Sequence, residues 1–376
     1  MSEWKEYKIK DIAEILDFKR KPLSSMERAK RKGQYPYYGA SGIIDYLDDY
    51  IFEGEHVLIS EDGENLRSRQ TPIAFLADGQ FWVNNHAHII KSDYVHNRLI
   101  CYYFANLDMN PFITGAVQPK LSQDSLCRIP IYLPKSIGER EKMVSILSSL
   151  DDKIDLLNRE NATLEAMAET LFRQWFIEEA KEDWEESTIE MYANHYKESI
   201  NPQKQPTTMF WHYSIPAFDN GKKPMDEMGE EIQSSKYIIP SNCILFSKLN
   251  PHKDKRIWLI LDNVPTNAIC STEFQIVKPK ETEFLYFLYG WLTNKENYEE
   301  IASGVGGTSG SHQRIDPKSI FTFACPHVDI GILQRYNKVV KPLFLKQREN
   351  QKQIITLTEQ RNRLLPNLMS NVIKYK

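Results

Sequence analysis

Apolar residues recur with heptad spacing along a long central stretch of the chain. Starting at Met143 and stepping alternately by four and three residues, the positions read Met, Leu, Leu, Ile, Leu, Asn, Leu, Ala, Leu and Trp, which ends at Trp175. This spacing predicts helix with one apolar seam, interrupted only at Asn161. The stretch also contains residues typical of a helix N-cap, which predict a short helix followed by a long one from about residue 151 to 179: Ser148, Ser149, Asp151 and Asp152.

A second helical pattern occupies the end of the chain. Its seam opens with Ile332, Tyr336, Val339 and Val340 and continues through Leu343, Asn350, Ile354, Leu357, Leu364 and Leu368. Pro342 predicts the start of a new helix, and Pro366 predicts fraying or an end. An apolar seam is buried only when it packs against a partner helix. Each of the two helical segments can serve as the partner of the other, so we expect an antiparallel helical pair.

Two asparagines lie at equivalent positions of the two seams, Asn161 and Asn350. Amides at seam positions can hydrogen-bond across a helical pair and thereby fix its register. The alternative is that both asparagines face solvent.

The rest of the chain is of mixed character and is duplicated. Residues 1 to about 138 and 183 to about 331 mix short β-branched and aromatic runs with Gly, Asn, Asp and Pro, which is typical of α/β structure. Five segments recur in the same order at offsets of about 180 to 194 residues, among them Val57–Ser60 with Ile244–Ser247 and Ile89–Lys91 with Ile276–Lys278. We therefore expect two α/β globular domains related by a pseudo-twofold axis and separated by a long antiparallel coiled coil. The predicted boundaries are 1–138, 139–182, 183–331 and 332–376.

Composition excludes several classes of protein. With 376 residues, 41% hydrophobic and 26% charged, the chain is typical of ordered globular proteins with more than one core. No apolar run approaches the ~20 residues that cross a bilayer, and the N-terminus lacks the apolar stretch of a signal peptide. Five cysteines without a CxxC pair argue against a disulfide framework and a zinc knuckle, so we expect a cytoplasmic protein without a membrane partner.

Charge is segregated although the net charge is only −4. Residues 331–376 contain 10 basic and 2 acidic side chains, whereas residues 136–182 contain 6 and 11. Seven basic residues also cluster between Lys19 and Lys32, with only Glu27 opposing them. Such local positive potential favours an anionic partner.

Motifs for catalysis are missing. There is no phosphate-binding loop, and the glycine cluster Gly304–Gly310 is more typical of a flexible or DNA-facing loop. Asn110–Phe112 lacks one proline of the tetrapeptide with which amino-methyltransferases hold a flipped base, and no cofactor motif precedes it. His86 and His88 could face one side of a strand, but no further ligands support zinc, so a polar strand edge is the better interpretation. We expect neither catalysis nor a bound cofactor or metal.

Basic, amide and aromatic side chains in the loops of both domains are the candidate functional residues, because such groups bind base edges and phosphates. Singly, each could equally be a solvated charge. Gln118, Arg69 and Arg314 are the strongest candidates for base contacts. The full predicted DNA-binding set is Lys21, Lys32, Tyr37, Arg67, Arg69, Gln118 and Lys120 in the first domain and Lys248, Lys253, Arg256, Gln313 and Arg314 in the second.

Three passages resemble the specificity subunits of type I restriction-modification systems. Leu171–Phe176, after Leu150–Ile154, is similar to their first conserved spacer region, and Leu364–Ser370 is similar to the end of the second. Gly115–Leu126 is similar to the loop and helix that close their target-recognition domains. The second copy of that passage, Gly307–Ile320, departs from the pattern, because Ser-His-Gln-Arg replaces Gln-Pro-Lys.

The resemblance implies a non-catalytic subunit whose two target-recognition domains each bind half of a split, asymmetric DNA sequence, with the spacer helices setting the distance between them. It further implies two modification subunits that use S-adenosylmethionine to methylate adenine, and restriction subunits that use ATP and Mg²⁺ to cut unmodified DNA. Two alternatives stay open. One is a coiled-coil adaptor with two protein-binding heads, and the other is a fused DNA methyltransferase or nuclease.

Overall fold

A computed structural model describes residues 3–115, 117–262, 264–304 and 313–369. The chain divides into two compact units. Unit 1 comprises residues 1–158 and 351–376, and unit 2 comprises residues 159–350. The divisions at residues 158/159 and 350/351 both lie inside long helices, so each unit contains a part of each long helix. The predicted boundaries at residues 138, 182 and 331 stay predictions.

The described part of unit 1 contains ten strands and five short helices, followed by the start of a long helix. The strands are β1 (Trp4–Lys8), β2 (Glu14–Ile15), β3 (Lys32–Gly39), β4 (Gly42–Leu47), β5 (Phe52–Glu53), β6 (His56–Ser60), β7 (Ala74–Ala77), β8 (Gln80–Val83), β9 (Ala87–Lys91) and β10 (Pro130–Pro134). The helices are α1 (Ile9–Ile12), α2 (Ser25–Lys30), α3 (Asn65–Ser68), α4 (Asn97–Asn106), α5 (Gln123–Arg128) and the long α6 (Ile137–Arg173).

Two four-stranded sheets form the body of unit 1, in the orders β2-β9-β6-β7 and β4-β3-β8-β5, and β1 pairs with β10. Strand β6 is buried along its whole length because both of its faces are covered. Val57 and Ile59 pack with residues of α4, while Leu58 packs on the other side with residues of β8. Burial on both faces explains why this strand is a continuous apolar run.

Unit 2 contains eleven strands in its described residues. They are β11 (Glu186–Thr188), β12 (Ala193–Tyr196), β13 (Ser199–Ile200), β14 (Met209–Tyr213), β15 (Met225–Met228), β16 (Lys236–Ile238), β17 (Cys243–Ser247), β18 (Ile257–Ile260), β19 (Ala268–Cys270), β20 (Phe274–Pro279) and β21 (Ala324–Pro326). The helices are α7 (Ile189–Tyr192), α8 (Ile215–Asp219), α9 (Leu285–Thr293), α10 (Lys295–Ser303), α11 (Pro317–Phe321) and the long α12 (Ile330–Met369).

The sheets of unit 2 repeat those of unit 1. The order β12-β20-β17-β18 matches β2-β9-β6-β7, the pair β11-β21 matches β1-β10, and β13-β16-β19-β14-β15 forms the remaining sheet. The registers agree as well: Ser60 pairs with Ala87, and its counterpart Ser247 pairs with Phe274. The predicted α/β class, the long helices and the duplication are therefore confirmed.

The predicted breaks in the long helices are wrong. Helix α6 runs without interruption from residue 137, because the expected capping residues make other contacts. Asp152 pairs with Arg98 at 2.7 Å, and Asp151 pairs with Arg361 at 3.0 Å. The helix then continues as a π-helical turn over Gln174–Glu178.

The prolines do not break α12 either. Val340 and Phe344, on either side of Pro342, are buried in the core of unit 2, and their burial outweighs the roughly 3 kcal/mol that an interior proline costs. Leu368 and Met369 are likewise buried in unit 1, so the helix continues past Pro366.

Within unit 2 the two long helices run antiparallel. Asn161 contacts Asn350, whereas Trp175, further along α6, contacts Tyr336, which lies earlier in α12. None of the described helices is long and apolar enough to cross a membrane.

Candidate nucleic-acid interface

A tight hairpin closes the first candidate site. Thr114 and Lys120 exchange backbone hydrogen bonds of 2.8 Å in both directions. Gly115 has a positive φ of 87°, and a Cβ there would lie 2.2 Å from the carbonyl oxygen of Gln118, so only glycine fits. Gln118 is exposed, while Ala116 lies outside the described residues. The turn therefore displays an amide side chain on a defined backbone.

Neighbouring segments hold this hairpin in place. The backbone N–H of Leu121 donates to the carbonyl of Glu61 at 2.7 Å, and the Glu61 carboxylate lies 3.3 Å from the Lys120 ammonium. Arg67 donates from Nη2 to the carbonyl oxygen of Gly115 at 2.8 Å. Arg67 and Lys120, both predicted as DNA ligands, thus also position the loop.

A buried ionic network lies beneath the hairpin. His88 Nδ1 is 2.5 Å from Asp17 Oδ2, and His88 Nε2 is 2.8 Å from the carbonyl oxygen of Leu121. Arg20 donates to Glu61 at 2.6 Å and lies 3.3 Å from Asp17. The network connects β9 to the hairpin, and Arg20 belongs to the basic cluster between Lys19 and Lys32 but not to the predicted DNA-binding set.

The ligand atoms of Asp17, Glu61 and His88 all lie within 4.8 Å of one another, which is close enough for a metal ion. Arg20 and Lys120 already neutralise the two carboxylates, and both nitrogens of His88 face protein oxygens. The donor set therefore fits an ion-pair network better than a cation site. His86 does not join it, because it contacts Asp62 at 2.9 Å.

Arg69, which the sequence analysis predicts to contact a base, makes a structural contact within unit 1. Its φ is 51°, and its guanidinium donates to the carbonyl oxygens of Ala105, at 2.9 Å, and Leu107, at the C-terminal end of α4. A cation at this end of a helix satisfies carbonyls that lack partners within the helix. The side chain remains exposed, and these contacts use two of the five N–H donors that an arginine offers.

The remaining predicted residues of unit 1 differ in accessibility. Lys21 and Lys32 are exposed, and the Lys32 ammonium, 2.5 Å from Asp45, holds the pKa of that carboxyl below its usual value. Tyr37 is fully buried, and its hydroxyl accepts a hydrogen bond from the backbone N–H of Leu23 at 3.0 Å. Tyr37 is thus a core residue that supports a loop, which corrects its assignment to a DNA-facing surface.

Two predicted arginines of unit 2 are held by carboxylates of the same unit. Arg314 forms a two-pronged ion pair with Glu273 at 2.8 and 3.1 Å, and the backbone N–H of Asn250 donates to the carbonyl of Gln313 at 2.9 Å. Arg256 is held in the same way by Asp219 at 2.7 and 2.9 Å. Residues 305–312, which include most of the predicted glycine-rich loop and the Ser-His pair of the departing motif, lie outside the described residues.

Several predicted side chains remain available to a ligand. Within the described residues, no hydrogen bond or ion pair involves the side chains of Lys21, Gln118 or Lys253. Lys253 also lines a pocket with Lys255 and with Lys295, and Lys295 is a residue that the sequence analysis missed. Lys295 is the first residue of α10.

Asn110–Phe112 is a short 3-10 turn in which Asn110 donates to Asp108 at 2.9 Å, a local structural contact. The seam asparagines meet as the heptad spacing predicts. Asn350, which is fully buried, donates from Nδ2 to Asn161 Oδ1 at 3.0 Å and to Glu160 at 2.9 Å. The hydrogen bond is thus present, and its control of register stays a prediction.

Comparison with known proteins agrees with this architecture. The sequence profile of a family described as "Type I restriction modification DNA specificity domain" matches residues 1–166. The chain is 38% identical over 149 residues to the type I restriction enzyme specificity subunit S.HindORF215P of Haemophilus influenzae, which covers 39% of this chain and 37% of that protein. It is also 25% identical to the type I restriction enzyme MjaIX specificity subunit of Methanocaldococcus jannaschii, over 98% of this chain and 93% of the relative.

A solved structure shares the fold. The crystal structure of a type I restriction-modification S subunit from M. genitalium matches with a TM-score of 0.66, covering 98% of this chain and 96% of that one at 14% identity. This likeness shows the fold alone, while the sequence comparisons point to the same kind of protein. Residues 1–166 thus match a type I specificity domain, and almost the whole chain is similar to specificity subunits of type I restriction-modification systems.

Proposed function

We propose that this chain is the non-catalytic, DNA-binding specificity subunit of a type I restriction-modification complex and that it recognises a bipartite, asymmetric DNA sequence. The observation that carries the proposal is the duplication: one chain contains two units that share the order of one four-stranded sheet and of one strand pair, and Lys120 and Arg314 form β-bridges at matching places in the two units. Two similar heads in one chain suit two half-sites on one duplex. The proposal includes a cytoplasmic location, which five free cysteines favour.

In this proposal the chain itself supplies recognition. Gln118 can pair with adenine through two hydrogen bonds and Arg314 with guanine, whereas Lys21 and Lys253 neutralise phosphates. Two modification subunits would bind S-adenosylmethionine and methylate adenine, and restriction subunits would use ATP and Mg²⁺. The acidic central segment and the exposed apolar side chains of α6, such as Leu156 at 49% exposure, support docking of these subunits.

A domain exchange tests the bipartite model. Replacing residues 1–138 with the matching segment of another specificity subunit should change one half of the methylated sequence, while the other half and the spacing stay the same. Methylation mapping of genomic DNA measures both halves at once. If both halves changed together, the two heads would not act independently and the model would be wrong.

The spacer is tested separately. Four residues inserted near 160 and near 349 lengthen both helices by about 6 Å, and one base pair adds about 3.4 Å, so the gap between half-sites should grow by one or two base pairs. An unchanged gap would contradict the role of the helices in setting the distance.

The stoichiometry is tested by native mass spectrometry of the co-expressed subunits. The internal duplication leads us to expect two modification subunits for each copy of this chain. A stable complex with one or three would contradict the argument from duplication.

Two other functions make different predictions. A coiled-coil adaptor with protein-binding heads would show no salt-dependent affinity for duplex DNA. A fused methyltransferase or nuclease would transfer methyl groups or cut DNA as the purified chain alone. Binding at two salt concentrations and an activity assay without partner subunits distinguish all three.

A further inference from the structure

The duplication allows the two units to be compared position by position. In unit 1 the backbone N–H of Leu121 donates to the carbonyl of Glu61, and in unit 2 Ile315 donates in the same way to Lys248, at 3.0 Å. Glu61 directly follows strand β6, and Lys248 directly follows its counterpart β17. An acidic residue of the first unit is therefore replaced by a basic one at the same place in the second.

A second position shows the same reversal. Ile15 in β2 pairs with Ile90 of β9, and His195 in β12 pairs with the equivalent residue of β20. Asp17 and Lys197 each follow two residues later. Both carboxylates of the buried network in unit 1 thus correspond to lysines in unit 2.

The two units differ in how these charges are balanced. In unit 1, Arg20 and Lys120 pair with the carboxylates, so the network neutralises itself. In unit 2 the nearby carboxylate of Glu273 is already bound by both prongs of Arg314. Within the described residues neither Lys197 nor Lys248 forms an ion pair, so each adds a positive charge at its place in unit 2.

Lys197 directly follows β12 and Lys248 directly follows β17, and both strands run antiparallel to β20, which lies between them, so the two lysines lie at the same end of the sheet. Both act on His195: burial, and then the positive charge of Lys197 and more weakly of Lys248, lower the pKa of that ring to about 4. His195 and Lys197 line an open groove of about 890 Å³ together with Lys280 and Lys318. An anion that enters this groove meets the ammonium groups of Lys197, Lys280 and Lys318, which outnumber the one carboxylate of the lining, Glu190.

We propose that Lys197 and Lys248 together hold one backbone phosphate of duplex DNA at the half-site of unit 2. This inference rests on the proposed function, since it assigns a phosphate contact within it. The lysines suit a phosphate because an ammonium is a point charge that binds oxyanions without base selectivity. Unit 1, with Asp17 and Glu61 at the same places, makes no such contact, so the two heads hold the DNA backbone differently.

The test is the salt dependence of duplex binding by the co-expressed complex with its modification subunits. The variants are Lys197→Gln, Lys248→Gln and the double variant. If both lysines serve one phosphate, the double variant should lower the slope of log K against log salt by about 0.9, equally for the recognised duplex and for unrelated duplexes. Lys280→Gln is the matched control, because its ammonium lies in the same groove but donates to the Glu190 carbonyl at 2.7 Å; its slope should not change.

The other outcomes overturn the inference in distinct ways. An unchanged slope in the double variant removes the phosphate contact, and a fall of about 1.8 means two separate phosphates rather than a shared one. A loss confined to the recognised duplex would assign the lysines to bases. Thermal unfolding midpoints equal to that of the unaltered complex exclude misfolding. If the unaltered complex itself binds duplex DNA without salt dependence, the proposed function fails, and not this inference alone.

Discussion

The buried carboxylate of Asp17 should be the most sensitive charged position of unit 1. Its side chain is 5% exposed and accepts hydrogen bonds from His88 Nδ1 at 2.5 Å and from the backbone N–H of Ile89 at 2.9 Å, and Arg20 lies 3.3 Å away. Asp17→Asn keeps the size and one acceptor. It removes the charge and turns an NH₂ group towards His88 or Arg20, both of which are donors.

The magnitude follows from these contacts. Breaking one side of a buried ion pair costs about 3–5 kcal/mol. Arg20 keeps Glu61 as a partner at 2.6 Å, so the lower end applies and we expect a loss of about 3 kcal/mol in the free energy of unfolding. For a domain of this size each kcal/mol lowers the melting temperature by about 2–4 °C, which gives a fall of about 6–12 °C.

Calorimetry of the purified chain measures this difference, with Asp124→Asn as the matched control. Asp124 pairs with Arg128 on the surface of α5, and both side chains are 69% exposed, so its loss should cost at most about 0.5 kcal/mol. Because the network also supports the hairpin, Asp17→Asn should weaken duplex binding as well. If the two variants melted at the same temperature, the buried network would not contribute to stability as argued.

Three further predictions concern single positions. Asn350→Ala removes two hydrogen bonds inside the helical pair and should cost about 1–3 kcal/mol in chemical denaturation; no loss would remove the amide pair as a stabilising contact. Gly290→Ala places a Cβ 2.2 Å from the ring of Phe172 and should cost about 1–3 kcal/mol through overpacking, whereas Gly138→Ala, whose nearest neighbouring atom is 3.9 Å away, should cost nothing, and equal losses would contradict the packing argument. His195, whose pKa burial lowers to about 4 from 6.5, takes up a proton on unfolding between those values, so the unfolding free energy should fall as the pH drops from 6.5 to 4; an NMR titration of the ring that returned 6.5 would refute this.

Features with a local period were predictable from the sequence. The heptad spacing indicated both long helices and the pairing of Asn161 with Asn350, because a seam position follows directly from the 3.5-residue repeat. The duplication could be found because matching segments such as β6 and β17 are buried in the same way and therefore kept similar apolar residues.

The breaks predicted in the long helices failed for a physical reason. Cap-like residues and prolines are local signals worth at most a few kcal/mol, and the burial of neighbouring seam residues such as Val340 and Phe344 exceeds them. The sequence alone does not give the free energy of burying these side chains, because the buried area depends on how the partner helix packs against them.

By itself, the sequence determined the architecture: two related α/β parts, two long helices with apolar seams, and basic and amide side chains in the loops. Only the tertiary structure decided which of those side chains are available. Tyr37 is buried in the core, and the Arg69 guanidinium donates to a carbonyl at the end of α4. Glu61 and Lys248 occupy equivalent positions of the two units with opposite charges. Periodicity follows from the geometry of the local backbone, whereas exposure and ion pairing depend on residues far apart in sequence that come together only in the folded chain.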